Sequence, residues 1–151
     1  MKRWLKYGLY GIIVILAGIQ FIPVNRNISS STPSTDFIVL LNPPNRIADK
    51  IAASCYNCHS NNTNYPWYSY VQPVAWILQD HIDEGKEELN FSEYGNYSGR
   101  MKRMKLDLII NEIKDGEMPL SAYTLFHKEA RLSGKEKKDL IDYFSSLKKQ
   151  L

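Results

Sequence analysis

Both cysteines of the 151-residue chain stand in one short segment, Cys55-Tyr56-Asn57-Cys58-His59. Two thiols three residues apart, at the end of a helix, can each add to one vinyl group on the same edge of a porphyrin. The next residue then sets an imidazole under the metal. This is the C-x-x-C-H spacing of covalent haem c attachment. It makes Cys55 and Cys58 the expected thioether donors and His59 the expected axial ligand of the iron. The second ring nitrogen of such a histidine needs an acceptor that fixes its tautomer, and a backbone carbonyl in the loop around Pro66 is the expected partner. A thioredoxin-like dithiol normally accompanies a βαβ pattern, which this chain lacks. A Cys55–Cys58 disulfide would close a tiny loop and leave His59 idle. A structural zinc would need a second Cys/His pair at ribbon spacing, and there is none.

Five side chains compete for the sixth iron position: Met101, Met104, Met118, His81 and His127. Met118 stands in Gly116-Glu117-Met118-Pro119-Leu120, between a helix-stopping glycine and a proline. A methionine on such an irregular segment can offer its sulfur without opposing helix geometry, and a Met/His pair raises the reduction potential. Met118 is therefore the expected second ligand. Met101 and Met104 fall on a helical stripe and read as core filler. His81 reads as a pocket histidine bonded to a backbone group or a haem propionate, and His127 as a surface residue. Among the aromatics after the motif (Tyr65, Trp67, Tyr68, Tyr70), Trp67 and Tyr68 are expected beside the haem, where an amphipathic ring can cover the edge and reach a propionate.

The elements that must position these groups read as helices. Ile47, Ile51 and Cys55 recur at helical spacing after Pro44, so a helix runs into the cysteines. Pro73 opens a second helix to about Leu89, a polar loop runs from Asn90 to Gly99, and a third helix spans about 100–115 and stops at Gly116. Ser133 and Glu136 form a capping box that starts the last helix. No segment sustains period-2 alternation, so the class is all-α. Phe37–Leu41 reads as a strand or, more simply, as an arm packed on the domain.

Ahead of the domain, Lys2, Arg3 and Lys6 precede an uncharged run from Tyr7 to Asn25. A helix from Tyr7 to Val24 would span roughly 27 Å, close to the ~30 Å of a hydrocarbon core. Residues 1–26 are accordingly expected to be a membrane anchor, with a cleaved signal segment as the alternative. Residues 27–43, rich in Ser, Thr and Pro, read as linker and arm, and 44–151 as the domain. The positive-inside rule puts the N-terminus in the cytoplasm. That implies a single-pass inner-membrane protein with its C-terminal domain in the periplasm, where covalent haem is normally attached. Residues 1–26 hold four Lys+Arg and no acid, whereas the rest holds 15 Lys+Arg against 16 Asp+Glu. The domain is thus no polyanion binder, which excludes nucleic acid as the expected partner. The basic run Arg100–Lys105 reads as a solvated helix face that could also dock an acidic partner or lipid headgroups.

The stretch from Cys55 to Tyr70, together with Gln72-Pro73-Val74-Ala75-Trp76, Asp80 to Gly85, Leu89-Asn90-Phe91-Ser92 and Gly116 to Leu120, resembles the bacterial haem-binding domain family of cytochrome c-like proteins. The resemblance covers about residues 37–151. It implies a small cytochrome c-like helical domain, one covalent haem on Cys55 and Cys58, and His59 as an axial ligand. Met118 matches the methionine-proline position of cytochrome c-like domains. The expected role is a membrane-tethered monohaem electron carrier serving an unidentified redox partner, rather than a catalyst with its own substrate. The alternative is a haem peroxidase or a gas or redox sensor with a labile sixth ligand.

Overall fold

A computed structural model describes residues 2–151; Met1, the first residue of the expected anchor, lies outside the described residues. The chain forms α1 (Lys2–Ile19), α2 (Phe37–Leu41), α3 (Asn45–Ile51), α4 (Asn57–His59), α5 (Val74–Glu88), α6 (Gly99–Asp115), α7 (Ser121–Phe126) and α8 (Gly134–Gln150). A π-helical turn at Ala52–Tyr56 joins α3 to α4, and 3₁₀ turns cover Trp67–Tyr70, Phe91–Asn96 and Lys128–Ala130. Among the described residues there is no strand, so the all-α reading of the domain stands.

The expected transmembrane helix does not. No helix among the described residues is long and apolar enough to cross a membrane. α1 carries three cations in its first five residues and ends at Ile19 rather than Val24. Its uncharged part, Tyr7 to Ile19, reaches only ~20 Å, well short of a ~30 Å core. The early stop has a tertiary cause. Gln20 Nε2 donates to the carbonyl of Gln72 (3.1 Å), the Gln72 amide donates to Gln20 Oε1 (3.0 Å), and Gln72 Nε2 donates to the Ile22 carbonyl (3.2 Å). The chain at Gln20–Ile22 is thereby tied to the domain instead of continuing as helix. The single-pass inner-membrane placement with a periplasmic domain falls with the spanning helix.

The segment read as a tether is likewise laid on the domain. The Asn27 amide donates to Tyr65 Oη (2.7 Å), its side-chain amide donates to the Ser60 carbonyl (2.8 Å) and Thr63 Oγ1 (2.9 Å), and Lys86 Nζ donates to Asn27 Oδ1 (2.6 Å). Arg26 lies over the Tyr70 ring at 3.7 Å. Residues 20–27 thus strap the loop that follows the cysteines.

Phe37–Leu41 is a short helix rather than a strand, and it packs on the domain. Asp36 caps it, accepting from the amides of Ile38 (3.0 Å) and Val39 (3.4 Å), and Asn42 ends it at φ 42°. The Asp36 carboxylate is itself 1% exposed and accepts from Tyr56 Oη (2.9 Å). The cap drives Phe37, fully buried, into a cluster with Phe91, Tyr94 and Phe144 at ring separations of 5.2, 4.8 and 6.0 Å. Leu106, Ile109, Ile110 and Ile113 of α6 and Leu140 of α8 complete this core. Burying a large apolar side chain contributes about 1.5–3 kcal/mol, so this cluster anchors the domain. The polar loop expected at Asn90–Gly99 is instead a buried 3₁₀ turn. Asn90 caps it by accepting from the Ser92 amide (3.0 Å), and Phe91, Ser92 and Tyr94 point inward.

Candidate functional site

The turn from Ala52 to His59 carries the chemistry. A π-helical turn holds one residue more per hydrogen-bonded ring than an α-helix, and here it delivers Cys55 and then Cys58 and His59 to one wall of a cleft. Ser54 Oγ, buried, donates to the Ala130 carbonyl (3.0 Å). Asn57 holds the far end. Its carbonyl accepts from Thr63 Oγ1 (2.7 Å), its Oδ1 from the Asn64 amide (3.0 Å), and its Nδ2 donates to Tyr123 Oη (2.6 Å).

The His59 ring is oriented from α5, not from the loop around Pro66. Nδ1 lies 2.7 Å from the carbonyl oxygen of Gly85 and 3.1 Å from that of Leu89. Carbonyls only accept, so Nδ1 carries the proton and Nε2 keeps its lone pair. Both carbonyls lie at the C-terminal end of α5: that of Gly85 also accepts from the Leu89 amide (2.9 Å), and that of Leu89 stands just past the last helical residue, where no helical amide follows. The Pro66 carbonyl is already used by the amide (3.0 Å) and hydroxyl (2.6 Å) of Ser69. The close approach depends on Gly85, because a Cβ there would stand 3.0 Å from the Cys58 carbonyl oxygen and 3.3 Å from His59 Cε1. Burial lowers the His59 pKa, with the two carbonyl bonds opposing the shift. The neutral, Nε2-basic ring of a metal-binding histidine is therefore the favoured form.

Both thiols are free. Burial, then the neighbouring Cys58 charge, pushes Cys55 up to about 12, and burial raises Cys58 to about 11. A redox dithiol instead needs a lowered thiol pKa. The dithiol reading thus has the wrong environment.

Two adjoining cavities of about 270 and 320 Å³ share Ser54, Cys55, His59, Glu88 and Met118 in their walls. The first continues into Leu89, Phe91, Ile109 and Ile113, against the aromatic core. The second adds Cys58, His81, Glu84 and Tyr123. Cys55, Cys58, His59 and Met118 are thus brought to one cleft, with His81 at its exposed edge on α5. Met118 is placed by the end of α6. Gly116 turns left-handed (φ 79°), and the amides of Gly116, Glu117 and Met118 all donate to the Glu112 carbonyl (3.1, 3.1 and 3.2 Å). Met101 and Met104 line neither cavity. They are 37% and 53% exposed rather than core filler, because the buried stripe of α6 begins at Leu106.

Trp67 and Tyr68 do not enter the cleft but line a neighbouring groove that reaches Cys58. Pro66 lines neither. His127 is not a free surface group. Its ring stacks on Tyr123 at 4.3 Å, Nδ1 lies 3.1 Å from Glu129 Oε1, and Nε2 lies 2.8 Å from Tyr68 Oη. In the neutral ring Nδ1 donates to the carboxylate and Nε2 accepts from the tyrosine. Sequence reasoning missed Gly85, Leu89, Asn57 and Tyr123. Gly85 alone left a signal, as a glycine inside a helical run, where it weakens the helix unless close packing requires it.

The donor set fits an iron porphyrin. One imidazole has only Nε2 free, one thioether and two free thiols line the same space, and the remaining lining is mostly apolar, as a cofactor site needs. A Cβ at Gly85 would crowd the His59 ring at 3.3 Å from Cε1. A family model described as haem-binding domain matches residues 14–146. No curated protein and no solved structure matches the chain.

Proposed function

The chain belongs to the haem-binding domain family, and from that premise we propose that it holds one haem c, covalently bound through Cys55 and Cys58, and transfers electrons. His59 and Met118 would hold its iron. The observation that carries it is the shared cleft. The one free nitrogen of His59, the Met118 thioether and both thiols belong to the same pair of adjoining cavities.

Haem supplies one-electron chemistry between ferric and ferrous iron. The chain's own residues set the conditions. The carbonyls of Gly85 and Leu89 hold the His59 ring and its proton, which fixes the tautomer and raises the basicity of Nε2. The Glu112 carbonyl pins the Met118 segment to the end of α6. Phe91, Ile109 and Ile113 give the inner end of the cleft an apolar lining. A thioether ligand favours ferrous iron and raises the potential. Two fixed ligands and an apolar lining favour electron exchange with little rearrangement.

The test is the mass of the holoprotein matured with covalent haem attachment. One haem should add to the intact chain and resist acid-acetone extraction. The Cys55→Ala, Cys58→Ala double variant should yield no covalent haem. A double variant that retained covalent haem would sink the assignment. A five-coordinate wild-type protein that turns over peroxide would replace electron transfer with catalysis.

A further inference from the structure

The groove beside the cleft is an exposed apolar surface whose outer walls, away from Cys58, the haem assignment does not use. It measures about 300 Å³ and is walled by Trp67, Val74, Ile77, Leu78, Ala122 and Phe126. Trp67 is 79% exposed, Phe126 67% and Ile77 54%. Singly exposed apolar residues are ordinary, but a contiguous group of them marks an interaction site. The groove also shares Cys58, His81, Leu120 and Tyr123 with the cleft. It is therefore the place where a partner could come closest to the attachment edge without entering the cleft.

The charge beside the groove selects the partner. On α5, Val74, Ile77, His81 and Glu84 follow at helical spacing, so the apolar wall runs directly into acidic residues. Asp80, Glu84 and Glu87 follow Ile77 along one exposed stripe, whereas Asp83 accepts from Gln79 (2.9 Å) on the strap side. The one cation of α5, Lys86, donates to Asn27 and is turned into the strap. At the far end, Lys105 donates to the Glu88 carbonyl, so the acidic margin proper is Asp80–Glu87. The opposite wall, α7, has no charged residue of its own; beyond it Lys128 and Glu129 offset each other and Arg131 donates to the Thr124 carbonyl (2.9 Å), so the acidic margin lies on the α5 side alone. We infer that this groove and its acidic margin are the docking surface for a redox protein that presents Lys and Arg around an apolar centre. The inference rests on the electron-transfer reading and names the partner class for that site. An anionic lipid surface would be repelled by the same carboxylates. A second copy of the chain would set like charges against each other wherever the two margins met.

Complementary charge steers encounter and depends on salt, while apolar contact sets lifetime. The test uses full-chain holoprotein and a commercial lysine-rimmed cytochrome c as the basic probe. Calorimetry reads binding, and stopped-flow absorbance reads transfer of one electron, with no bond made or broken. Asp80→Lys with Glu87→Lys should weaken binding at least tenfold at low salt and flatten its salt dependence. Phe126→Ser should weaken binding about fivefold, at high salt as well. Arg100→Glu with Lys102→Glu and Arg103→Glu on α6 should change affinity less than twofold. All variants should still exchange electrons with ferricyanide. The inference is overturned if the α6 variant loses binding and the α5 variant does not. Failure of the wild-type protein to bind the probe overturns it equally. So does a Phe126→Ser change that appears only in sedimentation, as loss of self-association, or only in anionic vesicle binding. If wild-type holoprotein binds the probe but exchanges electrons with neither reagent, electron transfer fails while docking stands.

Discussion

The domain holds two regions built on opposite principles. Around Phe37, rings and aliphatic side chains meet one another, and the space is closed by the chain itself. Around His59, the apolar side chains line cavities, and position is set by hydrogen bonds to main-chain carbonyls at helix ends. Phe91 joins the two, being a core ring on one side and a cleft wall on the other. The difference is one of division of labour. Contacts without direction make the scaffold stable, whereas directed bonds to the backbone fix a few atoms to within tenths of an ångström. A haem-binding cleft needs both, because its ligands must be aimed while its lining stays dry.

The comparison breaks most sharply at Phe37. Replacing it with Ala should cost about 3–5 kcal/mol, read as a lower urea midpoint, and the loss should be the same with and without haem. A loss confined to the holoprotein would show that the two regions are one. Gly85→Ala should act on the cleft instead. The added methyl meets the Cys58 carbonyl and the His59 ring, and such overpacking costs about 1–3 kcal/mol. The expected signature is a poor yield of holoprotein with an altered Soret band and near-normal helical dichroism. Met118→Ala should cost less stability, about 1 kcal/mol for a half-exposed side chain. It should lower the reduction potential, remove a weak far-red ferric band and open the ferrous protein to CO. An unchanged spectrum in Met118→Ala, with a changed one in His81→Ala, would assign His/His ligation instead.

The smallest effect lies far from the cleft, at the start of α8. The Ser133 hydroxyl and amide, then Lys50, hold Glu136 down at about 2. A carboxyl lowered from its ordinary 4.5 stabilises the fold above that value and loses its contribution as pH falls toward 2. The wild-type advantage over Glu136→Gln should therefore be full near neutrality and shrink between about pH 5 and 2. Urea midpoints taken across that range check it. A constant gap would mean that the ionised carboxylate adds nothing beyond a neutral cap.

Much of this was legible in the sequence because it is local. The C-x-x-C-H spacing, the Ser133–Glu136 box, the Gly116 stop and the 3.6-residue periodicity each depend on residues a few positions apart. Periodicity failed where a distant contact won. Tyr7–Val24 reads as one long apolar run, but Gln20 and Gln72, 52 residues apart, end the helix early. Asn27 reads as linker, yet its partners Ser60, Tyr65 and Lys86 lie far along the chain. Met101 and Met104 match an apolar stripe, but burial on α6 begins only at Leu106. The sequence alone determined which atoms can bond a porphyrin, since thiol, imidazole and thioether are properties of residue type and spacing. Only the tertiary structure decided how those atoms are aimed. The acceptors for His59 and the pin for Met118 are backbone carbonyls, a group that every residue carries and that no sequence pattern distinguishes. Which of them lies within reach is settled by where a helix ends and what packs beside it.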